Sequence, residues 1–266
     1  MSKIIMLGTG NGGTMNLYNT CFVIQNENGS FLVDTGGSIE VAKRIRDLGI
    51  ELYSIKDIFI SHSHSDHILG LIWYFRYFLF ATHDGDGIDG KVNIYCNSDV
   101  YKSINTIMDC VFDKFIIDLV NKNFNFVVLN DGDKYSIDGV EYTFFDIKAK
   151  RFLQYGFEGI IDGKKLVFLG DETLNPLLYD RVSNSDYVMH EAFCLDSEEH
   201  IFHGRAYGHG TVKDVAKVMN DLNVKNLILY HTEESHSNRK ELYTDEAKSI
   251  FKGNVFVPDD LEAIEL

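Results

Sequence analysis

The stretch Ile58-Phe59-Ile60-Ser61-His62-Ser63-His64-Ser65-Asp66-His67 decides how the rest of the chain is read. A short β-rich apolar run stops, and three histidines and an aspartate follow within six positions, which places the ligating groups on a loop at a strand end. Neutral imidazole and carboxylate are the nitrogen and oxygen donors that zinc, iron and manganese accept. A solvated His-rich loop or a tag-like tract is the alternative, but the HxHxDH spacing is specific and the tract lies well inside the chain.

Working outward, 266 residues with 45% hydrophobic and 13% aromatic content can bury one substantial core, so a single domain over residues 1–266 is expected. Two prolines and no low-complexity run leave no linker. Cys21, Cys96, Cys110 and Cys194 are scattered without metal-ligand spacing and read as reduced thiols. Met1-Ser2-Lys3 runs straight into a strand, without a signal peptide, and the longest apolar run, Ile68 to Ala81, is interrupted by Arg76 and falls short of the about 20 residues a bilayer requires. A cytoplasmic protein without membrane contact is expected. A net charge of −15 argues against a broad phosphate-tracking surface, and therefore against a large nucleic-acid partner.

The first half reads as strands at Lys3–Met6, Thr20–Gln25, Ser30–Val33 and the ligand-bearing run. The turn Gly8-Thr9-Gly10-Asn11-Gly12-Gly13 opens no helical pattern, which disfavours a dinucleotide-binding loop. Asp34, ending an apolar run, is either a carboxylate that orients a ligating imidazole or a turn-capping residue. Ser38 can cap a helix of about ten residues bearing Val41, Ala42, Ile45 and Leu48 and ended by Gly49. The segment Ile68–Phe80 predicts a helix apolar nearly all round, suited to burial or to a subunit interface, and Asp99–Lys122 predicts two helices. A second strand set follows at Phe124–Leu129, Tyr135–Ile137, Val140–Asp146, Phe157–Ile161 and Lys165–Leu169, then helices near Val212–Leu222 and Arg239–Phe251 and a strand at Val255–Val257. Two β-rich halves, each followed by helices, suit two packed sheets with helices outside.

The motif His62-Ser63-His64-Ser65-Asp66-His67 resembles the signature of the metallo-β-lactamase superfamily. In order along the chain, Ile4-Ile5-Met6-Leu7-Gly8-Thr9-Gly10, Leu32-Val33-Asp34-Thr35-Gly36-Gly37, Leu169-Gly170-Asp171-Glu172-Thr173, His190-Glu191-Ala192-Phe193, Gly208-His209-Gly210-Thr211 and Leu229-Tyr230-His231 resemble the motifs of ribonuclease Z-like members. The resemblance covers nearly the whole chain. It implies an α/β four-layer αββα sandwich with a metal site at the strand ends, holding one or two ions per chain, zinc first and manganese or iron as alternatives. It further implies that His62, His64, Asp66, His67 and His231 are ligands and that Asp171 bridges two ions. By the same resemblance Asp66 orients or deprotonates the metal-bound water, and Glu191 pairs with His209, which protonates the leaving oxygen or contacts phosphate. A carboxylate that holds and charges an imidazole would suit a general acid near neutral pH. His190 is expected to pack structurally and His83 to lie at the surface, as are His200, His203 and His236, of which His200 and His203 are the best placed to approach substrate.

One departure stands out. Two-metal members carry a further ligating histidine before the segment matching Tyr155-Gly156-Phe157, whereas Phe145-Asp146-Ile147-Lys148-Ala149-Lys150-Arg151-Phe152-Leu153-Gln154 has none. The best alignment places Lys148 there, with Asp146 or Lys150 if the register slips. An ammonium repels a cation unless it loses its proton, so Lys148 would either supply part of the missing positive charge or point to solvent.

The expected activity is that of a metal-dependent hydrolase, a ribonuclease Z-like phosphodiesterase acting on a small phosphodiester or nucleotide-like substrate, with a homodimer as the family's expectation. Only a hairpin's length separates Tyr155-Gly156 from Asp171, which leaves no room for a protruding transfer-RNA-binding arm. A lactonase or thioesterase of the same superfamily and a non-catalytic metal-binding protein are the alternatives.

Overall fold

The structure is a computed structural model describing residues 1–86 and 88–266; Gly87, within the polar loop expected at Thr82–Gly90, lies outside them. Its strands are β1 (Lys3–Gly8), β2 (Cys21–Gln25), β3 (Ser30–Val33), β4 (Asp57–Ile60), β5 (Val92–Cys96), β6 (Phe124–Val128), β7 (Lys134–Ile137), β8 (Val140–Asp146), β9 (Tyr155–Ile161), β10 (Lys164–Phe168), β11 (Tyr187–Glu191), β12 (Asn226–Tyr230), β13 (Asn254–Phe256) and β14 (Ala263–Glu265). The helices are α1 (Glu40–Asp47), α2 (Ser65–Ala81), α3 (Ser98–Val111), α4 (Lys114–Asn123), the short α5 (Tyr179–Val182), α6 (Glu199–Phe202) and α7 (Gly204–Tyr207), then α8 (Val212–Asp221) and α9 (Arg239–Lys248).

The strands form two seven-stranded sheets, in the orders β14-β1-β2-β3-β4-β5-β6 and β13-β12-β11-β10-β9-β8-β7. In the first, β14 through β3 pair antiparallel and β3 through β6 parallel. In the second, β7 through β10 pair antiparallel and β10 through β13 parallel. Parallel strands are covered on both faces, and β3, buried at every position, shows why these runs read as continuous apolar stretches.

Three buried clusters define the layers. One packs the outer face of the first sheet against α1 to α4, a second lies between the sheets, and a third packs the second sheet against α8 and α9. The layer order is αββα, a metallo-β-lactamase fold. The middle layer is rich in phenylalanine: Phe157, fully buried, meets Phe59 at 5.7 Å and Phe168 at 5.3 Å between ring centroids. Truncating such a ring to alanine costs about 3–5 kcal/mol.

Several boundaries differ from the sequence expectation. Helix α2 begins at Ser65, so Asp66 and His67 occupy its first turn instead of a loop. The amides of His67 and Ile68 both donate to the His64 carbonyl at 3.1 Å, and an aspartate in a first turn is favoured by the helix dipole. Helix α1 is shorter than expected and its N-cap is Ile39; the Ser38 hydroxyl still accepts from the Glu40 amide at 3.3 Å. Trp73 and Phe80 of α2 are exposed, whereas Tyr74, Phe75 and Phe78 are buried, so the helix has one free apolar flank. No helix among the described residues is long and apolar enough to cross a membrane. Cys21, Cys96 and Cys194 are buried free thiols and Cys110 is exposed.

Candidate metal centre

Strand β4 ends at Ile60, and the following residues turn across the end of the first sheet. Ser61 fixes that turn: its amide and hydroxyl both donate to the fully buried Asp34 carboxylate, each at 2.8 Å. The hydroxyl proton is thereby used, so His62 Nδ1, 3.0 Å from Ser61 Oγ, must be the donor in that contact. Asp34 also receives His67 Nδ1 at 2.9 Å. Both rings are therefore held as Nδ1–H tautomers with the Nε2 lone pair turned inward, the usual arrangement for a ligating imidazole. Asp34 is the orienting carboxylate rather than a turn cap, and it does this from a left-handed backbone (φ +55°). Gly70 allows α2 to approach: a Cβ there would lie 1.9 Å from the Thr35 carbonyl oxygen. The same contact is sealed by Thr35, whose amide and hydroxyl donate to the His67 carbonyl at 3.1 and 2.8 Å.

The second sheet supplies the opposing groups. Asp171 follows β10 and His231 follows β12, the latter also in a left-handed conformation (φ +57°). Asp171 Oδ2 lies 3.2 Å from His62 Nε2, 3.5 Å from His67 Nε2, 3.6 Å from His231 Nε2 and 3.8 Å from His64 Nδ1. Asp66 Oδ2 lies 3.5 Å from both His67 Nε2 and His231 Nε2. Two ligands about 2.1 Å from one tetrahedral ion stand about 3.4 Å apart, so these spacings are those of shared coordination. Burial sharpens the point, because His62 Nε2, His67 Nε2, His231 Nε2 and Asp171 Oδ1 are enclosed without hydrogen-bond partners. A lone pair facing a carboxylate oxygen is repulsive unless a cation or proton lies between them. The residues thus fit metal ions, in two groups that meet at Asp171, His62 with His64 and Asp66 with His67 and His231; Glu191, His209 and His231 form a third close set of donors.

The charges point the same way. Burial lowers His62, whereas at His67 burial is outweighed by the Asp66 and Asp34 charges, which lift it well above the ordinary range. At Asp171 and Asp66 burial is likewise outweighed, by His62 and by His67 respectively, and both carboxyls sit well below the usual range.

Glu191, at the end of β11, and His209 flank His231. The His209 and His231 rings are 5.2 Å apart, and Phe193 stacks on His209 at 4.8 Å. The pair is not the ion pair expected from sequence. His209 Nδ1 stands 3.7 Å from Glu191 Oε2, beyond hydrogen-bond reach, while Glu191 Oε1 accepts from the Gly210 amide at 2.6 Å. Burial pushes Glu191 well above the carboxylate range and, with the neighbouring His231, takes His209 down to about 4. The carboxylate does not charge the imidazole here; desolvation favours both groups in their neutral forms.

Lys148 is also corrected. Its ammonium bonds to Asp131 at 3.0 Å and Asp146 at 3.1 Å, not to any member of the His62–His64–Asp171 group, and those two carboxylates raise its pKa. It therefore does not replace the missing ligand's charge at the ions. Instead, Gln154 reaches the site: fully buried, it accepts from the Asp171 amide through Oε1 at 3.3 Å, with Nε2 enclosed and unpartnered. Nothing in the composition of that segment singled it out. His190 packs structurally, donating through Nδ1 to the Glu191 carbonyl at 2.6 Å and accepting from the Leu174 amide at 3.1 Å, so it secures the loop after Asp171. His200 lies in α6 and His203 caps it in a left-handed conformation, while His236 meets Glu198.

A ribonuclease Z of Picrophilus torridus is 26% identical, covering 98% of this chain and 94% of its own. The metallo-β-lactamase fold protein YhfI of Bacillus subtilis superposes with a TM-score of 0.80 at 16% identity, covering 99% of this chain and 98% of that one. The short form of human tRNase Z gives 0.72 at 19% identity, with 99% and 98% covered. Likeness at this level establishes the architecture and stops there. A family model is more discriminating, and the one describing the Anti-Pycsar protein Apyc1 matches residues 2–256, so the chain belongs to that family.

Proposed function

We propose that the protein is a metal-dependent phosphodiesterase acting on small phosphodiester, nucleotide-like substrates. The observation that carries this reading is the shared position of Asp171 Oδ2, within 3.2 to 3.8 Å of four imidazole nitrogens and joining two donor groups at the ends of both sheets. Metal ions held there would lower the pKa of a water and neutralise charge on a phosphoryl group, with zinc the first expectation and manganese or iron compatible with the same donors. His62, His64 and Asp171 would hold one ion, and Asp66, His67, Asp171 and His231 its neighbour. Asp66, on the first turn of α2, would orient the attacking water or accept its proton at a carboxylate oxygen. His209 would protonate the leaving oxygen or contact phosphate, and the negative charge of an arriving phosphate would raise its proton affinity from the depressed value set by burial.

A large RNA is disfavoured on two grounds. Strands β9 and β10 are joined by the two-residue turn Asp162-Gly163, with no inserted arm, and the net charge is −15. The relative named ribonuclease Z supports the phosphodiester class of bond and not the size of substrate. The deciding experiment is metal analysis followed by assay on bis(p-nitrophenyl) phosphate beside a lactone and a thioester panel. Turnover of the phosphodiester supports the proposal; turnover of an acyl substrate alone replaces it with the lactonase or thioesterase reading.

A further inference from the structure

The loop that follows β1 runs past the first turn of α2, where its Gly12 meets the Asp66 carboxylate. A Cβ at Gly12 would lie 3.0 Å from Asp66 Oδ2, 3.1 Å from Cγ and 3.3 Å from Oδ1. Oδ2 is the oxygen that also stands 3.5 Å from His67 Nε2 and from His231 Nε2. Main chain therefore rests directly against the oxygen that faces the two imidazoles, with room for a hydrogen atom and not for a methyl group. Gly12 is not one of the glycines with a left-handed backbone, so its conformation alone would admit other residues. What calls for glycine there is the space that Asp66 occupies.

The loop is clamped in that place. Gly10 bridges to Asn19 and Thr232, and the Asn11 amide donates to the Thr232 carbonyl at 3.2 Å. The Asn11 side chain donates to Glu233 at 2.7 Å. Glu234 takes three consecutive amides, those of Met15 and Asn16 at 2.8 Å and that of Leu17 at 2.9 Å, and bonds to a charged acceptor are the stronger kind. Thr232, Glu233 and Glu234 directly follow His231, so the loop hangs from the strand end that carries a ligand of the same donor group as Asp66. Asp66 needs such support: whereas Asp34 aims His67, Asp66 has polar contacts only to His67 and His231 among the described residues. We propose that Glu234 and Gly12 are positioning residues for Asp66, Glu234 clamping the loop and the Gly12 backbone acting as the stop that keeps the carboxylate turned toward the ions. The inference rests on the metal-dependent reading of the site and assigns the part that aims one of its ligands.

The test measures zinc affinity of the full chain by competition with a chromogenic chelator and, in parallel, urea denaturation of the metal-free proteins. Without an ion the Asp66 side chain, 13% exposed, can swing away from an added methyl group; with one it cannot, so the cost falls on the loaded protein. Gly12→Ala should weaken zinc binding roughly 10- to 100-fold, the range for disturbing the groups that hold a ligand, without lowering the urea midpoint of the metal-free protein. Gly13→Ala is the control, since its Cβ would meet only Asn11 Oδ1 at 3.3 Å, and it should bind zinc as wild type does. Glu234→Ala alone should cost roughly threefold, and in its background the further Gly12→Ala loss should shrink by at least about threefold, the coupling expected of neighbours that share one loop. Gly12→Ala that binds zinc within twofold of wild type, or that loses the same factor with and without Glu234, overturns the clamp. Should Gly12→Ala lower the midpoint of the metal-free protein, Glu234→Ala decides alone: weakened zinc binding supports the clamp and unchanged binding overturns it. Wild type that holds neither zinc nor manganese overturns the metal-dependent reading itself, and the inference falls with it.

Discussion

Asp34→Asn isolates the carboxylate that aims the ligands. Asp34 is fully buried and receives the Ser61 amide at 2.8 Å, the Ser61 hydroxyl at 2.8 Å and His67 Nδ1 at 2.9 Å. Asparagine keeps the shape and tolerates the left-handed backbone at φ +55°, so the change is confined to one oxygen and one charge. Whichever way the amide turns, its NH₂ must face a donor, either Ser61 or the imidazole N–H. A hydrogen bond to a charged group contributes about 1.5–3 kcal/mol, which converts to a roughly 10- to 100-fold loss in metal affinity, the size seen when the group behind a ligating histidine is removed. The assay is competition with a chromogenic chelator, with denaturation of the metal-free proteins measured in parallel to confirm that the variant folds. A folded Asp34→Asn protein that holds its metal within twofold of wild type would refute the assignment.

Other substitutions address other parts of the site. Asp66→Ala should remove most activity, by roughly 10²–10⁴-fold for proton transfer alone, while leaving the circular dichroism spectrum intact; activity within a fewfold of wild type excludes the role. His209→Ala should cost less with a p-nitrophenolate leaving group than with an alkoxide, and equal losses would point to phosphate binding instead. The group with Asp66, His67, Asp171 and His231 offers four protein donors and the group with His62, His64 and Asp171 three, so dialysis should leave about one tightly held equivalent by elemental analysis. Lys148→His should not add another, because its side chain is turned to Asp131 and Asp146; two equivalents in wild type would contradict the inequality. His190, held near pKa 4 by burial, binds fewer protons folded than unfolded, so its contribution is present above about pH 6.5 and declines as pH falls toward 4, by about 3 kcal/mol at most. Urea denaturation across that range should be less pH-dependent in His190→Asn, and an unchanged slope would rule this out.

How much of this could be read from the sequence depended on how local the determinant was. The HxHxDH tract names its own chemistry because no ordinary packing role asks for that density of imidazole, and β4 before it is unmistakably apolar. The turn glycines and the apolar runs of β8 to β10 located the second sheet for the same reason. Strand β5 was missed because it is a short run between a polar loop and a helix, and β11 because its last residues, His190 and Glu191, read as site motif and not as strand. The three residues of β14 have no strand signal apart from the partner they meet. Lys148 failed as a site residue because one or two positions of register in a loop decide which side chain faces inward. The state of Glu191 and His209 was inaccessible for a different reason: motif order places them together, but enclosure decides where the proton sits.

The pairing of β1 with β14 bears on how the chain is made. Ile4 lies opposite Ile264, so the neighbour that covers one edge of β1 is synthesised about 260 residues later. During synthesis that edge, carrying the apolar run Ile4-Ile5-Met6-Leu7, exposes unpaired amides and carbonyls of the kind that recruit foreign strands. Asp260, just before β14, then receives the Thr9 amide, the Tyr18 amide and the Arg44 guanidinium, so the loop beside the metal centre gains these fastenings only when the last strand docks. Growth of the chain and maturation of the site are thereby ordered in time, with β14 joining its sheet after the six other strands.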